Sequence, residues 1–258
     1  MQIKVLYKKR AVLFDAGSSS RYLIICDLHI GFEEKFRGSG VRIQSNAESM
    51  ISEVESIIET DGITDLVING DIKSGIDRIL ESEWDNVPKF FSRILKKCRI
   101  FVIPGNHDGG LSNLLPEAVH LEDINGMLLS DTLILHGHTR PLIKFKECRR
   151  LIMGHIHPIF QKKGSPLSGR PVWAFLRISK KSIFRELLEE QDSNSMIEVI
   201  LMPAFNLDLA STGYVAETTR AERRVGPLVT ELRQSEQGVV ITLEGEVIGD
   251  TSLLRKVL

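Results

Sequence analysis

The chain has 258 residues, 42% apolar and 26% charged, with a formal net charge of -1. That length suits one large α/β domain with an appendage, or two small domains, around a substantial core, and no apolar run approaches the ~18 residues of a membrane span, so a soluble globular protein is expected. The near-neutral balance argues against a broadly basic nucleic-acid binder and leaves room for a local cationic groove.

Met1 to Leu6 reads as a short strand. Lys8, Lys9 and Arg10 follow it, without the apolar core and small-residue cleavage site of a signal peptide, so residence in the cytoplasm is the expectation. Tyr22 to Cys26 is an apolar run ending on Asp27, Leu28 and His29. Met50, Ile51, Val54, Ile57 and Ile58 then recur at helical spacing, with Ser45 and Asn46 as possible caps and Gly62 as a stop. Leu66 to Ile68 runs into Gly70 and Asp71. Next comes a second apolar stripe, Trp84, Val87, Phe90, Phe91, Ile94 and Leu95, read as core, with Pro88 implying an early start or a kink. Ile100 to Ile103 leads to Gly105, Asn106, His107 and Asp108; Leu133 to Leu135 leads to His136, Gly137 and His138; Leu151 to Met153 leads to Gly154, His155, Ile156 and His157.

Strand alternating with helix is the rhythm of a layered α/β fold. After a polar loop from Gln161 to Pro171, Val172 to Ile178 and Ile197 to Met202 read as strands of a second sheet. Residues 203–238 show no clear periodicity, too long for a structureless loop in a compact domain, so they are either functional or hold short hidden elements. Val239 to Leu243 and Glu246 to Ile248 flank Glu244 and Gly245 as a hairpin. Cys26, Cys98 and Cys148 cannot all pair and show no C-x-x-C spacing, which points to reduced thiols.

Six of the seven histidines lie in the clusters just named, the exception being His120, read as a surface residue. Imidazole, carboxylate and amide oxygen are ligands that divalent first-row metals accept, and a carboxylate can bridge two of them. An Asp-x-His pair on a strand would put both side chains on one face. Sites of open α/β sheets form in the loops beyond the strand ends, where separate segments converge. Each motif alone is weak or moderate, since a turn of polar residues can merely cap backbone. Five in order, each behind an apolar run, make coincidence implausible.

The set resembles the calcineurin-like metallophosphoesterase superfamily, whose motifs read D-x-H, G-D, G-N-H-D or E, a histidine-glycine step, and G-H-x-H. Within it, Asp27 to Gly31 and Met202 to Asn206 are similar to the stand-alone phosphoesterases related to the nuclease subunits Mre11 and SbcD. The resemblance covers roughly residues 20–160 and implies an α/β fold of the αββα type, a β-sandwich flanked by helices. A metallophosphoesterase domain over 1–202 and a C-terminal extension with hairpin over 203–258, packed on the same domain, is the expected division.

It further implies that Asp27, His29, Asp71 and His157 hold one metal, and that Asp71 bridges to a second completed by Asn106, His136 and His155. A metal-activated hydroxide would attack phosphorus, with His107 protonating the leaving oxygen or stabilising phosphoryl charge and Asp108 orienting its ring. With no cysteine ligand, manganese is the expected ion, with iron, zinc, cobalt or nickel as alternatives. Ser74 stands where relatives often carry Asp or His. Lys73 is open between a phosphate contact and a solvated loop lysine, and His138 between touching substrate or a ligand and merely lining the site. Phosphodiesters, above all nucleic acid, are the favoured substrate; if DNA is cut, backbone contacts would come from Lys162, Lys163, Arg170, Arg220, Arg223 and Arg224, or these lie on a solvated face. The alternatives are a small-molecule phosphodiesterase or phosphomonoesterase and a non-catalytic scaffold. A homodimer or a DNA-repair partner would be compatible.

Overall fold

The computed structural model describes residues 2–17, 20–40, 44–184, 195–211, 226–235, 237–250, 252–253 and 257. The chain opens with β1 (Gln2–Leu6) and β2 (Ala11–Asp15), an antiparallel hairpin that the basic composition of Lys8 to Arg10 conceals in the sequence. Then β3 (Arg21–Ile25), helix α1 (Ala47–Asp61), β4 (Asp65–Asn69), α2 (Glu81–Ile94), β5 (Arg99–Ile103) and β6 (His120–Leu121) follow. The hairpin and these four strands form one sheet in sequence order, with β3 to β6 parallel.

The second sheet contains β7 (Met127–Leu129), β8 (Thr132–Leu135), β9 (Arg150–Met153), β10 (Val172–Ser179), β11 (Met196–Leu201), β12 (Gln237–Thr242) and β13 (Val247–Asp250), in the order β13-β12-β10-β11-β9-β8-β7. β8 and β9 are parallel neighbours. The expected terminal hairpin is therefore present as β12 and β13, and it is joined to this sheet through β10.

Strand alternation builds the layers. On β4, Leu66 and Ile68 face outward into a core shared with α1 and α2, while Val67 faces inward. On β9, Ile152 faces inward and Leu151 and Met153 pack outward against Ile183, Phe184, Leu228 and Leu232. The inner core, with Phe14, Ile103, Trp173 and Met202, lies between the sheets. Helical layers thus cover both outer faces, the αββα arrangement.

α1 buries Met50, Ile51, Val54, Ile57 and Ile58 and stops at left-handed Gly62 (φ 63°), whose N–H closes on Ile58. Asn46 occupies the N-cap position without a side-chain cap; its amide donates instead to Asn206 and Asp208 at 2.7 Å each. α2 accommodates Pro88 and buries Val87, Phe90, Phe91 and Ile94. Trp84 departs from the expected core stripe: it is 53% exposed, because it falls outside the arc that faces the sheet. Among the described residues of 203–238, short helices lie over Asp208–Ser211 and Val229–Arg233. No helix among the described residues is long and apolar enough to cross a membrane.

Candidate metal centre

β3, β4 and β5 are parallel neighbours, as are β8 and β9, so each set ends on one side and its following loops emerge together. Asp27 and His29 follow β3 but do not belong to a strand, so the same-face argument of strand alternation does not bring them together. They adopt left-handed backbone, φ 57° and 40°. Asp71, His155 and His157 do the same at 51°, 66° and 45°, making five of the seven non-glycine residues with positive φ among the described residues. Such backbone costs about 1–3 kcal/mol each and persists where neighbours dictate it. Here the neighbours are ladder-like bonds between loops: Asp27 N–H to the Gly70 carbonyl (3.0 Å), His29 N–H to that of Asp71 (2.9 Å), and Ile30 N–H to that of Ile72 (2.8 Å).

The result is two groups of ligand atoms that share one carboxylate. Asp27, His29, Asp71 and His157 form one; Asp71, His136 and His155 form the other, with ligand atoms within 4.8 Å of one another in each. Asp71 Oδ2 faces His29 Nε2 at 3.5 Å, while its Oδ1 faces His136 Nε2 at 3.4 Å. Asp27 Oδ1 lies 3.0 Å from His157 Nε2.

His136 donates its Nδ1–H to the Asn69 carbonyl (2.9 Å), since a carbonyl can only accept, and Nε2 is thereby left as the free lone pair. Both buried ring nitrogens of His29 lack a hydrogen-bond partner, and His136 Nε2 and His157 Nε2 face only the carboxylates of Asp71 and Asp27. Buried polar atoms are normally satisfied, so a group of orphaned imidazole nitrogens around two carboxylates fits divalent cations.

Electrostatics agrees. Burial would raise the Asp27 carboxyl, but His157 and His136 outweigh it and hold the group at about 2. Asp71, pushed upward by burial, is held well below the usual range by His136, His29 and His107. Burial drives His29 well below its ordinary value and His155 to about 3, so both imidazoles offer neutral lone pairs. His136 is the opposite case: burial opposes its charge, yet Asp71 and Asp27 lift it to about 9. A cation would compete with that proton.

Close approach demands glycine at two points. A β-carbon at Gly70, itself left-handed at φ 82°, would lie 2.1 Å from His136 Nδ1, and one at Gly105 would lie 2.1 Å from Asp71 Oδ1. The motif glycines therefore make room for ligands from other segments.

His107 lies beside this centre, its Nε2 3.9 Å from Asp71 Oδ2 and its ring 4.7 Å from that of His29. Its Nδ1–H donates to the Ser74 carbonyl at 2.8 Å, and burial lowers its pKa. The orienting group is thus a backbone carbonyl, whereas the motif had suggested Asp108. Asp108 instead accepts N–H bonds from Ile72 (2.9 Å) and Lys73 (3.3 Å) on Oδ1 and from Gly105 (2.8 Å) on Oδ2, fastening the Asp71 loop to the His107 turn. Burial and the Asp71 charge raise it to about 7.

Lys73 fits neither sequence reading: it is wholly buried, and its ammonium donates to the Gly75 carbonyl. The Ile30–Lys73 bridge draws this residue into the packed loop layer. Asn106 is exposed on the turn and its amide engages no other described residue. His138 lies 5.3 Å from the His136 ring and 6.3 Å from that of His155, with Nδ1 unpartnered; burial and His136 lower it to about 4. His120 is exposed and stacked on Phe101. Lys162, Lys163 and Arg170 are exposed on a loop closed by the Ile159–Pro171 bridge, two residues beyond His157; Arg220, Arg223 and Arg224 lie outside the described residues.

Three supports escaped sequence reasoning. Asn69, buried at the end of β4, donates across the sandwich to the Leu135 (3.2 Å) and Ile152 (3.5 Å) carbonyls; a polar residue closing an apolar run was its only signal. Glu83 is buried and accepts N–H bonds from Ser74, Gly75 and Leu80, all at 2.7 Å, holding the loop that orients His107. Asn206 accepts from Asn46 and donates to the Leu28 carbonyl at 2.9 Å, tying residues after β11 to the Asp27–His29 loop.

A family model described as calcineurin-like phosphoesterase matches residues 20–178, a stretch that contains all the metal-ligand candidates. Among solved structures, the nuclease MPE of Pseudomonas putida aligns at 20% identity and TM-score 0.52, over 79% of this chain and 82% of that one, a likeness of fold. YfcE, a phosphoesterase from E. coli, aligns at 14% identity and TM-score 0.39, over 90% of this chain and 98% of that one. No curated protein matches the chain.

Proposed function

We propose that this chain, which belongs to the calcineurin-like phosphoesterase family, is a two-metal phosphodiesterase that acts on nucleic acid. The observation that carries the reading is Asp71, whose two carboxylate oxygens face two different sets of imidazoles with unpartnered buried nitrogens. Asp27, His29, Asp71 and His157 would hold one ion; Asp71, His136 and His155, joined by Asn106 from its exposed turn, would hold the other. The Asn106 and carboxylate oxygens and the lack of thiolate favour manganese or iron, with manganese the ion we propose. Bound, the two cations supply an acidified water and neutralise charge on the phosphoryl oxygens.

The residues then divide the remaining tasks. His107, fixed through Nδ1–H on the Ser74 carbonyl, presents Nε2 to the same space and, when protonated, donates to the leaving oxygen; Asp71 nearby favours that charge. Asp108 is a positioning residue that keeps the Asp71 and His107 segments in register. His138 borders the site through its unpartnered Nδ1 and is suited to contact substrate. A polymeric phosphodiester is favoured because exposed Lys162, Lys163 and Arg170 stand on the loop beginning beside His157, where backbone phosphates would be neutralised. A structural neighbour that shares the fold is a nuclease, which supports the same substrate class. Three free buried thiols suit a reducing compartment, the cytoplasm.

The test compares hydrolysis of bis(p-nitrophenyl) phosphate, p-nitrophenyl phosphate, and linear single- and double-stranded DNA in the presence of manganese. The diester and at least one DNA should be cleaved, and His107→Ala should keep its metal but lose about 10²-fold or more in kcat. Turnover of the monoester alone would overturn the phosphodiesterase reading, and undiminished turnover by His107→Ala would remove that residue from the chemistry.

A further inference from the structure

We propose that Arg140 and Gly226 form a clamp on the His136 and His155 ligand set, making the affinity of the second cation depend on the stretch from Gly226 to Glu231. The inference rests on the two-cation reading of the site. Four residues beyond His136, the Arg140 guanidinium fastens the ligand-bearing loop to two other parts of the chain. Its Nη1 donates to the Ser182 (3.4 Å) and Ile183 (3.2 Å) carbonyls. Its Nη2 donates to the Pro227 carbonyl and to the Glu231 carboxylate, each at 2.5 Å. The segment carrying Pro227 and Glu231 is itself anchored, because Leu228 and Leu232 are fully buried in the outer core of the second sheet.

That segment closes on the ligands. Gly226 is buried, and a β-carbon there would come within 2.7 Å of the Gly137 carbonyl oxygen and 3.0 Å of His155 Cδ2 and Nε2. Its backbone is not in the left-handed region, so space alone excludes a side chain. An added methyl must displace the segment, which Arg140 pins, or the loop of Gly137 and the imidazole of His155. One clamp thus spans both histidines of the second set. The contacts described for Arg140 and Gly226 include none with Asp27, His29 or His157, so the first set stands apart from it.

Groups that orient metal ligands from behind are worth about 10- to 100-fold in metal affinity, which sets the expected scale. Titration of the metal-free full chain with manganese in a calorimeter, on wild type, Arg140→Met and Gly226→Ala, reads each site separately; circular dichroism checks folding, and Glu231→Gln serves as a milder third variant should Arg140→Met not fold. Wild type should bind two ions, and the variants should keep one site at wild-type affinity while the other weakens by about 10-fold or more. Two unchanged sites in folded Gly226→Ala, or two sites weakened equally, would overturn the clamp. A wild-type protein that binds no manganese would overturn the two-cation reading itself and the clamp with it.

Discussion

Replacing Gly105 by alanine tests the site with a single methyl group. The added β-carbon would lie 2.1 Å from Asp71 Oδ1, 2.4 Å from Asp71 N and 2.9 Å from Asp71 Cγ. Real β-carbons do not approach below 3.0 Å, so relief requires relative movement of about 0.9 Å. Rotation of the carboxylate alone cannot supply it, because the overlapping atoms include backbone nitrogen. The turn must also move, yet its N–H groups are already bonded: Gly105 N–H to Asp108, and His107 N–H to Asp71 Oδ1 at 2.9 Å. The displaced group is the carboxylate common to both ligand sets. A misplacement of about 1 Å can cost on the order of 10²-fold in rate, so kcat on bis(p-nitrophenyl) phosphate should fall by about that factor or more. Because Asp71 serves both sets, both manganese affinities should fall together, as read by calorimetry. A Gly105→Ala protein with two wild-type affinities and a rate within about threefold of wild type would refute the shared-carboxylate argument, being far from the loss that such a displacement entails.

Asn69→Ala removes two hydrogen bonds that tie the sheets together and leaves the Leu135 and Ile152 carbonyls without that donor, which should cost about 1–3 kcal/mol in urea unfolding of the metal-free protein. Stability equal to wild type would show that the bridge contributes nothing net. His155 titrates at about 3 in the fold against 6.5 for the ordinary group, so between those values the unfolded chain takes up a proton that the folded chain refuses. Its contribution is fully present above pH 6.5 and declines as pH falls toward 3, by up to about 1.4 kcal/mol per pH unit. The metal-free His155→Gln variant should show a correspondingly shallower loss of urea stability on acidification; identical slopes would contradict the assignment.

The periodic elements were legible because their signals are local. Apolar runs before Asp27, Asp71, Asn106, His136 and His155 are the five strands that deliver them, and Gly62 ends α1 as expected. The β2 strand was hidden because its apolar run follows a basic turn and carries no site motif. Trp84 misled because its spacing nearly matches the buried stripe, and the arc that faces the sheet is decided by helix placement. Lys73 and Asp108 were misread for a related reason: a side chain two residues from a ligand can point to solvent, substrate or backbone, and only the packed loops select among these.

By itself the sequence determined the chemistry of the donors, their order, and their place beyond strand ends, since residue type and strand periodicity require no knowledge of distant neighbours. Only the tertiary structure decided that Asp71 turns one oxygen toward each ligand set, that a carbonyl selects the free nitrogens of His107 and His136, and that Gly226 approaches His155 from 71 residues along the chain. Those outcomes depend on left-handed loops held by bonds between segments far apart in sequence. The local chain pays strain for them, and long-range packing alone makes that strain persist.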